Sequence, residues 1–235
     1  MQTRAVLEDF SIEHIVPYFQ PIYELETNCV FRYECLSRLV TAKEQMYLPS
    51  EFLYIVGPAQ TNARVTQRIF ELSSAFCLPK KMNWSINLFQ SDLENTRLLS
   101  WLEKLTLHTS KHLAGIEVSY DNVKDQAELL SEIVKRLPKL HITVDNVYEC
   151  NENIYALIDA GIQAIKLRGE LLEELNEIND KTDTLQALIS CCKKHTCAVI
   201  AEHIENEDSL NAVKKAGIKY AQGFYLQPPF SSNAS

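Results

Sequence analysis

Five short segments, far apart along the chain, each place an acidic or amide residue where a β-strand ends. They are Tyr33-Glu34-Cys35-Leu36-Ser37-Arg38, Ser85-Ile86-Asn87, Gly115-Ile116-Glu117-Val118, Val144-Asp145-Asn146 and Ile200-Ala201-Glu202-His203-Ile204-Glu205. Carboxylates delivered by several parallel strands to one end of a closed sheet can build a metal site, because the loops at that end converge on one axis. A lone Glu or Asn at a strand end is ordinarily a solvated or capping group. The information lies in the order and spacing of all five, with Lys166 and Gln222-Gly223 added. Lys166 follows an apolar run, and an ammonium buried there needs carboxylate partners.

The elements that must carry these residues are legible from periodicity. Val16 to Ile22 and Val30 to Leu36 are rich in β-branched and aromatic residues and flank the turn-like Glu24 to Asn28, which predicts an antiparallel hairpin. Helical stretches at roughly 58–77, 91–108, 124–137, 151–160, 170–194 and 206–216 then alternate with short apolar runs. Those runs are Trp84 to Leu88, Ala114 to Val118, His141 to Val144, Ala164 to Leu167, Ala198 to Ala201 and Tyr220 to Gln222. Six strands added to the hairpin pair make eight, enough to close a barrel covered by helices. The fold expected is a modified (β/α)8 barrel with an antiparallel first strand. Ser50 and Ser91-Asp92 are candidate N-caps, and Gly161 and Gly217 sit where helices terminate. Residues 16–230 are read as one domain, preceded by a segment 1–15 that starts with a short helix and followed by a frayed tail, 231–235. No sensor or output module is expected beside the domain.

A net charge of −8 and a pI near 5.3 argue against a nucleic-acid backbone as the main, direct partner, since phosphate neutralisation needs clustered Lys and Arg. No apolar run reaches the roughly 18 to 20 residues of a membrane span, and no basic-then-apolar leader opens the chain. The reading is a cytoplasmic protein without a membrane partner. The seven cysteines lack the paired spacing of a zinc site or a disulfide scaffold; Cys191, Cys192 and Cys197 are read as small buried residues.

From about Val16 to Phe230 the chain resembles the EAL-type cyclic di-GMP phosphodiesterases. Glu34 to Arg38 is similar to the namesake E-x-L-x-R segment with Cys35 in place of Ala, Ser85 to Leu88 to the asparagine strand, and Gly115 to Ser119 to the E-x-T/S strand. Ile165-Lys166-Leu167 is similar to the K-I-D strand, Ala201 to Glu205 to A-E-G-V-E, and Gln222-Gly223-Phe224-Tyr225 to Q-G-Y-x-F-x-x-P. The resemblance implies a first shell of Glu34, Asn87, Glu117 and Asp145, an oxygen-rich set that suits Mg²⁺ or Mn²⁺ rather than zinc. It implies that Lys166 and Glu202 position or activate water, that Arg38 holds a substrate phosphate, and that Gln20, Glu205 and Gln222 bind substrate or support the site. Phosphodiester cleavage of this kind typically uses two metals roughly 3.5 to 4 Å apart.

The departures bear on activity. Asn146 stands for the second Asp of the family's D-D pair, a neutral and weaker ligand, so the metal complement implied is one ion or none. Val147-Tyr148-Glu149-Cys150 has lost a Phe-Gly-Thr-Gly run, whose glycines permit backbone geometries that bulky residues avoid. Tyr120 replaces a glutamate that braces that loop, Arg168 replaces the Asp of K-I-D near the mouth, and His203 replaces a Gly, as a structural residue rather than a ligand. Against these losses, Glu34, Glu117, Asp145, Glu202 and Glu205 are retained, five carboxylates whose mutual repulsion in one mouth favours a cation. The reading is a degenerate EAL-domain regulator in bacterial cyclic di-GMP signalling, with weak or no hydrolysis. It binds the nucleotide or docks on a protein such as a transcriptional regulator. The alternative is an active metal-dependent phosphodiesterase yielding linear pGpG. Stand-alone relatives often dimerise near the altered loop, which leaves monomer and homodimer both open.

Overall fold

The computed structural model describes residues 11–42, 44–52, 59–111, 113–172 and 179–232. β1 (Ile15–Glu24) and β2 (Cys29–Val40) form the hairpin, pairing Gln20 with Glu34. β4 (Trp84–Asn87), β5 (Ala114–Ser119), β6 (His141–Val147), β7 (Ala164–Leu167), β8 (Ala198–Ala201) and β9 (Tyr220–Ala221) follow in parallel register from β2 onward. β1 closes the cylinder antiparallel to both β2 and β9, giving eight strands around. The modified barrel with an antiparallel first strand is therefore the observed fold. Two short strands, β3 (Met46–Tyr47) on β2 and β10 (Phe230–Ser231) on β1, extend the rim and were not anticipated. Ser231 is thus paired to Tyr18 rather than frayed, because β9 pairs only with Tyr23 and Glu24 and leaves the rest of that edge of β1 with free backbone groups.

The helices that cover the sheet are α1 (Pro49–Phe52), α2 (Ala59–Cys77), α3 (Gln90–Leu93), α4 (Thr96–Thr106), α5 (Tyr120–Val123), α6 (Ala127–Arg136), α7 (Glu152–Asp159), α8 (Asn179–Lys194) and α9 (Glu207–Lys215). The stretch expected as one helix over 91–108 is two. Asn95 accepts the N–H of Leu98 at 3.0 Å and caps α4, while Asp92 reaches back to the N–H of Phe89 at 3.1 Å and caps α3. The caps are therefore Asp92 and Asn95, not Ser91; Ser50 lies inside α1. Residues 1–10, where a short helix was expected to begin, and 173–178 of the expected 170–194 helix lie outside the described residues; Ile12–His14 is a 3-10 turn. Gly161 (φ +93°) and Gly217 (φ +78°) follow α7 and α9 in the left-handed conformation expected of them.

Two apolar layers hold this together. The larger packs helices on the outside of the barrel, with Phe19, Phe70, Trp84, Leu102, Ile116, Val144, Leu157 and Leu188 among its buried members. The smaller, Ile22, Ala164 and Ile200 with Phe31 and Tyr220 against them, plugs the barrel interior. Strand alternation puts residues two apart on the same face. On the parallel strands, residues of the plug layer are therefore followed, two positions on, by a residue at the C-terminal mouth: Ala164 by Lys166, Ile200 by Glu202, Tyr220 by Gln222. Arg32 and Glu34, Gly115 and Glu117, and Thr143 and Asp145 stand in the same relation.

Candidate functional site

Lys166 is the hub of the mouth. Only 1% exposed, its ammonium donates to Glu34 Oε2 at 2.9 Å and Glu117 Oε2 at 3.0 Å, with Glu202 Oε2 at 3.6 Å. Asp145 Oδ1 lies 2.9 Å from the same nitrogen, as a charge contact rather than an aligned hydrogen bond. Around this group, Asn87 Nδ2 donates to Glu34 Oε1 at 2.7 Å, Gln222 Nε2 to Glu34 Oε2 at 2.8 Å, and Ser85 Oγ to Glu117 Oε1. Ser85 was not singled out from the sequence; being two residues before Asn87 on one strand face is the signal that finds it.

Four carboxylates about one ammonium leave the floor of the mouth with excess negative charge. Burial alone would lower the pKa of Lys166, but Asp145, Glu117, Glu34 and Glu202 together hold it well above its usual range. Burial drives Glu117 the other way, up to about 7 even beside Lys166, with Glu34 and Asp145 adding to the rise. Glu202 is likewise raised well above the carboxylate range by burial and by Asp145. Burial also opposes ionisation of Glu34, yet Lys166 and the donors Asn87 and Gln222 keep it low.

This donor set fits a hard cation. One oxygen each from Glu34, Glu117 and Asp145 lies within 4.8 Å of the others. Glu202 Oε1 and Gln222 Oε1, both buried, have no hydrogen-bond partner among the described residues, so acceptor capacity remains beside the triad. Oxygen donors of this kind select Mg²⁺, Ca²⁺ or Mn²⁺ over thiophilic metals. Among the described residues no cysteine joins a metal-ligating group; Cys192 and Cys197 are buried as expected, and Cys191 only partly so.

Above the floor opens a cavity of about 270 Å³ lined by Gln20, Arg38, Asn146, His203, Glu205 and Gln222 together with floor residues. Arg38 donates to Ser37 O at 2.8 Å and lies 5.8 Å from the Tyr18 ring; Gln20 Nε2 donates to Gln227 O at 3.3 Å. Glu205 is an exposed rim residue, so of the carboxylates expected in one mouth four surround Lys166 and the fifth lines its edge. Pro229, unremarked in the sequence, and Phe224, quoted there only within the family resemblance, also line the cavity, and Phe224 is 68% exposed. Gly223 is forced here, since a Cβ would stand 2.1 Å from Ile204 O. Arg168, expected to reverse the charge near the mouth, does not line the cavity; its guanidinium pairs with Glu170 at 3.4 Å, where the chain turns into a helix after β7.

The altered loop is rebuilt rather than left unsupported. Between Val144 and Val147 the β6–β7 register shifts, and the bulge carries Asp145 inward and Asn146 to the exposed rim. The buried Tyr120 ring then lies under the loop, its hydroxyl 3.0 Å from Glu149 Oε1 and 3.1 Å from Asn151 Oδ1. Tyr148 packs edge-on to it at 5.5 Å and donates to Asp121 Oδ1 at 2.7 Å, with Lys124 Nζ donating to the Tyr148 hydroxyl at 3.2 Å. Tyr120→Phe keeps the ring and removes only these hydroxyl bonds. A loss of about 1–2 kcal/mol is expected, read as a lowered Tm with faster amide exchange confined to 148–151; unchanged exchange there would show that the hydroxyl braces nothing.

The chain matches the EAL domain model over residues 3–229. It is 25% identical over 231 residues to the EAL-domain protein YkuI of Bacillus subtilis, covering 93% of this chain and 56% of that protein. It is 24% identical over 219 residues to the cyclic di-GMP phosphodiesterase TpdA of Vibrio parahaemolyticus, covering 92% of this chain and 37% of that one. The chain thus spans from about a third to just over half of the length of these relatives. The YkuI structure, solved with cyclic di-GMP and calcium, superposes with a TM-score of 0.80 at 22% identity over 98% of this chain and 58% of that chain. Among the described residues no helix is long and apolar enough to cross a membrane. A closed barrel with one antiparallel strand, a mouth of carboxylates around a buried lysine, and a family match over nearly the whole length have one reading: the chain belongs to the EAL domain family.

Proposed function

We propose that this domain holds cyclic di-GMP over a centre for one divalent cation, Mg²⁺ or Mn²⁺, and hydrolyses it weakly or not at all. The observation that carries the reading is the carboxylate triad of Glu34, Glu117 and Asp145, the one such group among the described residues, with the neutral Asn146 beside it at the rim. A cation bound there would polarise a phosphodiester oxygen. Asn87 and Gln222 would orient Glu34, while Lys166 would fix all four carboxylates and balance part of their charge. Arg38 supplies a guanidinium for a phosphate, and Gln20 and Glu205 complete the wall. The similar YkuI complex, which contains both the nucleotide and a divalent cation, supports the ligand assignment.

One observation favours the second reading, an active phosphodiesterase forming pGpG. Glu202 is buried, has a raised pKa and keeps Oε1 without a partner among the described residues, as a group that handles a proton would. The two readings differ in cation count. Calorimetric titration with Mn²⁺ in the presence of cyclic di-GMP is expected to give one equivalent per chain, abolished in Asp145→Asn; two equivalents would favour the active enzyme.

A further inference from the structure

Two residues on the cavity wall hold a backbone conformation that L-residues adopt at a steric cost. His203 has φ +59° and Asn146 φ +64°, both left-handed. The other described non-glycine residues with positive φ, Asn28, Glu44, Lys81 and Thr196, do not line this cavity. Strained conformations persist where surrounding structure over-determines them, and they gather at ligand sites. Neither the His203 imidazole nor the Asn146 amide makes a side-chain hydrogen bond among the described residues, and both are exposed. His203 follows β8 and Asn146 lies next to the end of β6, on either side of the strand that carries Lys166, and both line the cavity above the charged floor, with His203 also near enough to Glu170 to lower its pKa.

That placement meets an electrostatic need. An anion entering the mouth faces four carboxylates offset by one ammonium. Besides Lys166 on the floor, Arg38 is the fixed positive charge that the cavity lining offers an anion. We infer that the His203 imidazole, seconded by the Asn146 amide, hydrogen-bonds a non-bridging phosphodiester oxygen of the bound nucleotide, making His203 a ligand-binding residue of this chain. This rests on the nucleotide-binding reading above and assigns it a contact.

His203→Gly tests it, because glycine adopts φ +59° without steric cost and the backbone has no reason to move. With Mg²⁺ held constant, the variant is expected to bind cyclic di-GMP about tenfold more weakly by calorimetry, with a Tm change of about 2 °C or less. Affinity within twofold of wild type, or a lowered Tm with affinity kept, would overturn the assignment in favour of a structural imidazole. If the wild-type protein itself shows no affinity for the nucleotide, the broader reading fails. The assignment is then decided by NMR titration of the wild type with inorganic phosphate: a saturable shift of the His203 ring sustains an oxyanion contact, and a flat response ends it.

Discussion

Lys166→Met is expected to be the most damaging single substitution in the mouth. It removes the only ammonium from a cluster of Glu34, Glu117, Asp145 and Glu202 and leaves their charges buried and uncompensated. Breaking a buried pair in this way costs about 3–5 kcal/mol, which in a domain of this size lowers Tm by roughly 10 °C. The loss should depend on pH with a definite sign. Carboxyls whose folded pKa is raised, as for Glu117 at about 7 and Glu202 well above its usual range, bind more protons folded than unfolded. Their contribution is fullest below the unfolded carboxylate pKa and is lost as pH rises through the folded value. Removing the lysine raises those values further. The Tm deficit of the variant should therefore be larger at pH 8 than at pH 5, and Mg²⁺ should recover part of it at pH 8 by binding only the folded state. An equal deficit at both pH values would mean that Lys166 acts through packing instead.

Asn146→Asp is expected to change activity rather than stability. Asp tolerates the left-handed backbone of this bulge about as well as Asn, so the substitution adds a carboxylate at the rim without forcing the chain to move. One preorganised electrostatic group in a phosphoryl-transfer site is worth about a hundredfold or more in rate. Formation of pGpG, followed chromatographically, should rise by at least that factor over wild type, together with a second equivalent of bound cation. A wild type that already matches the variant would place this domain among the hydrolysing members despite Asn146.

Much of this architecture was readable in the residues because the signals were local and periodic. The hairpin announced itself through two β-branched runs around Glu24 to Asn28, and the later strands through apolar runs between amphipathic helices. Their strand-end positions in a barrel, together with the resemblance to the EAL family, let Glu34, Glu117, Asp145, Lys166 and Glu202 be expected together before any distance was known. What escaped depends on geometry that no local pattern records. β3 and β10 are two residues each, too short to show a period, and exist because longer neighbours leave backbone groups free. The break between α3 and α4 turns on Asn95 choosing the N–H of Leu98. Tyr120 could be marked as a changed brace, but that its hydroxyl meets Glu149 and Asn151, some thirty residues on, follows only from how α5 packs under the loop. The left-handed turn at His203, and the diversion of Arg168 to Glu170, are equally matters of backbone direction at a strand end.

The most direct test is a calorimetric titration of the purified protein with cyclic di-GMP in Mg²⁺ buffer, with the cell contents assayed afterwards for pGpG. Saturable heat that returns to baseline after each injection, with the nucleotide recovered intact, is the result expected of a one-cation binding domain. Sustained heat with accumulating pGpG would contradict weak hydrolysis, and absence of heat would contradict nucleotide binding itself.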